Sequence, residues 1–254
     1  MSPRRTATPT RFGTARVEPD RKRPGGVLLR VDGMESAYVD LGDPTHLRFD
    51  YVRRIGHLID LAFPPGEPVD ALHVGGGGFT LPRYVAATRP RSRSIVYEPD
   101  PAVTAIARAE LDLRPSRRMR VRTEDAALGI RDQEAARFDL VVGDAFVGDA
   151  TPPQLAGAEF ADQVRRVLRP GGAYAMNVID APPLRFARAQ AALLAERFPA
   201  GVAIAARAVL DGRRRGNVVL AGTGGRIDTA RLGRRVQGDP LPAEVVDLAA
   251  FAAL

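Results

Sequence analysis

Four glycines and three carboxylates share one kind of place in this sequence, the end of a short strand-like run, and together they are expected to form a nucleoside site. Gly75, Gly76, Gly77 and Gly78 stand between DALHV and FTLPRYVAATR. Lacking side chains, they let the backbone turn sharply and let a ligand approach the main chain and the first turn of a following helix. No Gly-Lys-Ser or Gly-Lys-Thr follows, so the residues that hold phosphate and magnesium in a phosphate loop are missing. Glu98 ends the next apolar run, SIVYEP, about 20 residues on, where an acid can accept hydrogen bonds from both hydroxyls of a ribose. Asp125, in Glu124-Asp125-Ala126, has two readings: acceptor for the exocyclic amine of an adenine, or N-cap of the segment that follows. Asp144 ends the fourth run, FDLVVGDAF, at the edge where ligands of such folds bind.

Those residues need elements to hold them. DALHVGG, SRSIVYEP, MRVRTEDA and FDLVVGDAF read as strands, with helical patterns in LPRYVAATR and AVTAIARAEL. Strands separated by helices imply right-handed crossovers in a parallel sheet. The alternation continues through a helix near 153–168, the turn RPGG, the strand AYAMNVID and a helix near 184–198. VAIAARAVL and GNVVLAG, on either side of a charged turn, add an antiparallel pair at the sheet edge. Upstream, VLLRVDG and SAYVDLG fold about Gly33 as a hairpin. Leu47, Tyr51, Ile55, Leu58, Ile59 and Ala62, three and four residues apart, predict a helix over 46–63 that Pro64 and Pro65 end. The predicted class is α/β: a doubly wound Rossmann-like sheet, mostly parallel with an antiparallel edge pair, plus a small N-terminal β-hairpin. The expected organisation is a disordered basic tail over 1–24, the hairpin and helix over 25–63, a nucleoside-binding domain over 64–225 and a C-terminal extension over 226–254 with one weak helix. Removing the tail is expected to leave folding unchanged, since it offers no recognisable core.

Composition narrows the function classes. With 254 residues, 45% hydrophobic and 26% charged, the chain is ordinary for a globular protein, which excludes wholesale disorder. Charged residues interrupt every apolar run before the ~18 residues a spanning helix needs, which argues against a membrane role. There is no cysteine, so disulfides, thiolate metal sites and cysteine nucleophiles drop out and the cytoplasm is the expected compartment. His46, His57 and His73 lack ligand spacing, and no metal is implied. The net charge of +7 is concentrated in residues 1–24, where seven basic residues face only Glu18 and Asp20. Lys22 is the sole lysine in the chain. A nearly neutral remainder argues against a nucleic-acid surface.

The glycine run, Glu98, Asp125-Ala126 and FDLVVGDAF resemble the spermidine synthase branch of the S-adenosylmethionine-dependent methyltransferase fold, over roughly Val27 to Gly222. VDGMES is similar to that family's N-terminal Leu-Asp-Gly segment, VGGGGFTLPRYV to its glycine motif, and VLRPGGAYAMNV to the strand-five region of the wider fold. The resemblance implies that Gly75 to Gly78 and Glu98 hold the nucleoside of S-adenosylmethionine or its decarboxylated form. It implies further that Asp125 and Ala126 hold the adenine and that Asp144 assists the attacking amine. The activity implied is that of a polyamine aminopropyltransferase, moving an aminopropyl group from decarboxylated S-adenosylmethionine to an amine such as putrescine, in a homodimer and without a metal. An alkylamine is mostly protonated at neutral pH; a carboxylate at Asp144 would orient it and accept its proton, while the sulfonium is already a good leaving group. The chain departs from the pattern at Gly78 and Phe79, where the family carries an acid facing the aminopropyl ammonium. It departs again at Val147 and Gly148, where a second acid and a proline are usual, and Asp149 is the candidate replacement for substrate contact. Tyr51 is expected either in the pocket wall or in the core. Two alternatives stand beside this reading: methyl transfer from S-adenosylmethionine to an unknown acceptor, and a catalytically silent nucleoside-binding homologue.

Overall fold

The chain begins as sheet. In the computed structural model, which describes residues 7–114 and 116–253, strands β1 (Thr8–Thr10), β2 (Gly13–Pro19), β3 (Gly26–Val31) and β4 (Met34–Asp40) pair in sequence order as one antiparallel sheet. The expected disordered tail over 1–24 is therefore corrected within the described residues, and the expected hairpin of β3 and β4 is half of a larger sheet; residues 1–6 lie outside the described set. Pairing decides this. Ala15 sits opposite Val31 and Val17 opposite Leu29, and Ala15 is buried with Leu29, Ala37 and Ile106. The Arg11 N–H also donates to Asp100 Oδ2 at 2.5 Å. GTARVEP alone is too polar to announce a strand; partners distant in sequence supply the burial. Removing residues 1–24 would take two strands out of the sheet.

The second sheet follows the predicted alternation. Its elements are α1 (Asp50–Ala62), β5 (Asp70–Val74), α2 (Thr80–Thr88), β6 (Arg93–Tyr97), α3 (Pro101–Glu110), β7 (Met119–Arg122), the one-turn α4 (Ala126–Gly129) and β8 (Phe138–Gly143). They continue through α5 (Ala158–Val167), β9 (Leu168–Asp180), α6 (Arg185–Ala195), β10 (Ala200–Ala205), α7 (Arg207–Leu210) and β11 (Gly216–Thr223), and end in α8 (Thr229–Gln237), β12 (Glu244–Asp247) and α9 (Leu248–Ala253). The strand order is β12-β10-β11-β9-β8-β5-β6-β7. β7, β6, β5, β8 and β9 are parallel neighbours, whereas β11, β10 and β12 join antiparallel. The antiparallel pair expected at the edge thus lies one strand inside it. β12 covers β10 from the far side, with Val202 opposite Asp247 and Ile204 opposite Val245. The C-terminal segment, expected to hold one weak helix, closes the sheet instead; EVVD is four residues long, and only its long-range partner makes it a strand.

Period-two alternation explains how the central strands are covered on both faces. In β8, Val141 belongs to the core that includes Phe160, Val164 and Leu194 beneath α5 and α6. Its neighbours Leu140 and Val142 belong to the opposite core, with Ile55, Ile59 and Leu232 from α1 and α8. From β5 the chain winds outward through β6 and β7, then returns to place β8 and β9 on the other side. The crevice at the carboxyl ends of β5 and β8 is therefore the topological switch point, the place where sheets of this kind leave room for a ligand. No helix among the described residues is long and apolar enough to cross a membrane.

Candidate functional site

At that switch point a cavity of about 920 Å³ opens between the glycine loop, the ends of β6 and β8, and the first turn of α1. Gly75 follows β5 with φ +96°, and a Cβ there would lie 2.4 Å from the Asp144 carbonyl oxygen. Only glycine lets the two strand ends approach this closely. Gly77 also has a positive φ, +48°, and lines the cavity. Gly76 and Gly78 do not line the large cavity. The Gly76 N–H is used by Glu98, and Gly78 is pressed against β4, where a Cβ would meet Ala37 at 2.8 Å and Val39 at 3.0 Å. The four glycines thus divide into positions that line the large cavity and positions used in packing and bracing.

Glu98, buried at the end of β6, braces the loop. Its Oε2 accepts from the N–H groups of Gly76 (3.0 Å) and Gly77 (3.3 Å), and its Oε1 from that of Asp100 (2.9 Å). Burial raises its pKa, while those three backbone donors pull it down. A carboxylate has about four lone-pair sites, so acceptor capacity remains toward the cavity that Glu98 lines. Asp125 caps α4 through Oδ1, which accepts from the Ala127 N–H at 2.8 Å, so the capping reading is realised. Its Oδ2 accepts from Gln154 Nε2 at 2.9 Å, and Asp125, Ala126 and Gln154 all line the cavity.

The other end of the cavity is built from side chains. Asp144, just past β8, accepts from the Tyr51 hydroxyl through Oδ2 (3.2 Å) and from Asn177 Nδ2 through Oδ1 (3.1 Å). Asn177 Oδ1 in turn accepts from Asn217 Nδ2 at 3.0 Å, which fixes which way its amide points. Register makes this relay possible. Asn177 in β9 stands opposite Val219 of β11, so Asn217, two residues away on the same strand face, is its diagonal neighbour. Burial pushes the Asp144 carboxyl up to about 6, against the opposing pull of the Asn177 and Tyr51 hydrogen bonds. Burial and the neighbouring Asp144 charge hold the Tyr51 phenol well above its ordinary pKa, so it remains a donor. The group at Asp144 is a carboxylate of raised basicity, oriented on both oxygens and facing a cavity, which suits it to taking a proton from a bound cation.

Two sequence expectations find different surroundings. Asp149 lines the exposed rim, not the interior, and is engaged in an ion pair with Arg215. Phe79, at the N-cap of α2 with φ +59°, is fully buried against Val39, Val96 and Leu111, so nothing polar faces the cavity from this position. His73 is buried in β5 and His57 bonds Asp239 at 3.0 Å, both away from the cavity wall. Asn217, Gln154 and Arg54, all in the cavity wall, went unmarked in the sequence reading. No local pattern marks them, since their places depend on antiparallel register, a loop crossing and helix docking.

Comparison with known proteins bears on what this geometry is for. No family model matches the chain. Over 146 residues it is 32% identical to a polyamine aminopropyltransferase of Vibrio vulnificus, a match covering 56% of this chain and 48% of the relative; the chain thus spans about half the length of that curated protein. It superposes on the crystal structure of a probable spermidine synthase from Corynebacterium glutamicum with a TM-score of 0.91 and 29% identity, covering 99% of this chain and 95% of that one. Spermidine synthase from Thermotoga maritima shares the fold, with a TM-score of 0.65 and 15% identity over 93% of this chain and 79% of that one. So does human methyltransferase-like protein 13, solved in complex with SAH, with a TM-score of 0.58 and 20% identity over 82% of this chain and 94% of that one.

Proposed function

From the premise that this chain is spermidine synthase-like in sequence and fold, we propose that it is a transferase that moves an aminopropyl group from decarboxylated S-adenosylmethionine to an amine. The observation that carries the reading is the placement of Asp144, raised in pKa and held by Tyr51 and Asn177, in the same cavity as Gly75, Gly77, Glu98 and Asp125. The residues fit the donor: the glycines leave backbone exposed, Glu98 keeps lone pairs for the ribose hydroxyls, and Asp125 with Ala126 borders the space for adenine. When bound, the donor supplies an electrophilic carbon next to a sulfonium. The acceptor ammonium, with a pKa near that of lysine at about 10.4, needs orientation and a base. Asp144 receives its proton. The amine nitrogen then bonds to the carbon, the carbon–sulfur bond breaks, and its electron pair stays on sulfur as methylthioadenosine leaves. The reading includes a homodimer and a cytoplasmic setting.

A second reading, methyl transfer from intact S-adenosylmethionine, is favoured by Phe79, whose burial leaves that position without a carboxylate for an aminopropyl ammonium. Calorimetric titration with each donor, followed by an assay of methylthioadenosine release with putrescine and other primary amines, separates the two. Binding of the decarboxylated donor with methylthioadenosine release is the expected result. Preference for intact S-adenosylmethionine with release of its demethylated product establishes the second reading, and binding of neither donor overturns both.

A further inference from the structure

Arg54 is left over by that reaction. It lies on α1 one turn beyond Tyr51, is 2% exposed and lines the same cavity. Its Nε and Nη2 are buried without a hydrogen-bond partner, and its guanidinium forms no ion pair among the described residues. Asp50 and Asp239 attract it through space without reaching it. Asp50 is held by Arg53 at 3.3 Å and Asp239 by His57 at 3.0 Å. Asp239 Oδ2 is itself buried and unbonded, so the two bare groups do not satisfy each other. Burial lowers the Arg54 pKa. A dry, unpaired guanidinium costs stability, and an anion that reaches it recovers part of the cost through a charge-assisted contact.

The acids of the wall, in contrast, are engaged. Glu98, Asp125, Asp144 and Asp149 have the partners described above, and Glu35 pairs with Arg30 at 2.9 Å. The exposed Arg11 and Arg214 add positive charge at the rim. A diamine calls for a carboxylate at each end, and this cavity presents a base at one end and a bare cation near it. Tyr51 and Arg54, three residues apart, are neighbours on one face of α1, and both line the cavity together with Asp144, so the Tyr51–Asp144 pair and Arg54 share one wall.

We propose that the acceptor is an amine that also carries a carboxylate, with Arg54 receiving the carboxylate and Asp144 the amine. The inference rests on the aminopropyl-transfer reading and narrows its acceptor class.

The test uses a matched pair of probes, putrescine and 4-aminobutyrate, which differ in having an ammonium or a carboxylate at the far end. Binding of each to the full chain saturated with methylthioadenosine is measured by calorimetry, so the result does not depend on turnover. The expected result is binding of 4-aminobutyrate about tenfold or more tighter than putrescine. Arg54→Gln abolishes that preference, Arg54→Lys keeps part of it, and the ligand-free Tm of Arg54→Gln equals or exceeds that of the parent. Putrescine binding as tightly as 4-aminobutyrate overturns the inference. So does an Arg54→Gln variant that loses Tm and weakens both probes equally, the signature of a structural arginine. If Arg54→Gln weakens binding of intact S-adenosylmethionine but not of its decarboxylated form, and leaves the probes alone, the arginine reads the donor's carboxylate and the acceptor assignment falls. Donor binding with methylthioadenosine release and a putrescine preference defeats this inference alone; failure of the parent chain to bind either donor defeats the transfer reading and this inference together.

Discussion

The two ends of the cavity are built on different principles. At the glycine end, the backbone does the shaping: Gly75 and Gly77 adopt positive φ, and Glu98 is held by three main-chain N–H groups. At the Asp144 end, four side chains from α1, the end of β8, β9 and β11 meet in one relay, Tyr51–Asp144–Asn177–Asn217. The first arrangement is mostly local, a loop and the next strand, with the end of β8 closing on Gly75. The second exists only where strands distant in sequence lie side by side. A backbone-built end suits the part of a ligand that must be gripped; a side-chain relay suits the part where a proton moves, because each link tunes the next.

Substitutions at the two ends should therefore fail differently. Asp144→Asn is expected to lower kcat by about 10²–10⁴ while donor affinity stays within about threefold; a retained kcat in steady-state assay would show that the base lies elsewhere. The pH profile carries the same message. With its pKa raised from 3.8 to about 6, Asp144 is an effective base only above that pH, so kcat/KM should climb through pH 6 in the parent chain and lose that limb in the variant. Its effect on folding has the opposite sign: a raised carboxyl contributes stability below about pH 4 and loses it as the pH rises through 6. Asp144→Asn should accordingly melt higher than the parent at pH 8, as differential scanning calorimetry would register.

Glu98→Ala breaks the comparison from the other side. Losing the brace of the glycine loop should weaken donor binding by about 10- to 100-fold, with a smaller loss of kcat at saturation. A binding constant unchanged by titration calorimetry would mean that the loop holds its shape without the acid. Asn217→Ala should act at one remove. It frees the Asn177 amide, weakens a hydrogen bond that lowers the Asp144 pKa, and so moves the rising limb of the pH profile upward, with a loss of about three- to tenfold in kcat near neutrality. An unchanged profile would show that Asn177 keeps its orientation unaided. Asp149→Ala should do least. The exposed Arg215 ion pair it removes is of a kind worth about 0–1 kcal/mol, so activity within about twofold of the parent is expected; a large loss in kcat/KM would move Asp149 from the rim into the acceptor site.

Legibility in the sequence follows the same division. The glycine run, Glu98, Asp125 and Asp144 could be read because each follows a strand, and the carboxyl ends of parallel strands collect at one sheet edge. The division of labour among the glycines could not be read, since what separates Gly77 from Gly78 is the arrival of β4 against one of them. Asp149 looked like a substrate contact because only its distance along the chain from Asp144 was visible, and the Arg215 that occupies it is 66 positions away. The N-terminal strands and β12 were missed for a shared reason: GTARVEP is polar, EVVD is only four residues long, and the burial of each comes from its partners.

Local pattern was enough to read the alternation of strands and helices and the set of acids at the strand ends, because hydrophobic period and strand-end position are local properties of the chain; the switch point needed the strand order. Tertiary structure alone decided which atoms those acids meet. It aimed Tyr51 at Asp144, set Asn217 diagonal to Asn177, withdrew Phe79 into the core and left Arg54 dry and unpaired at the cavity wall. Each of these is a relation between segments far apart in sequence, fixed by docking and register, and a change of one residue in register would turn the side chains of a strand to its other face.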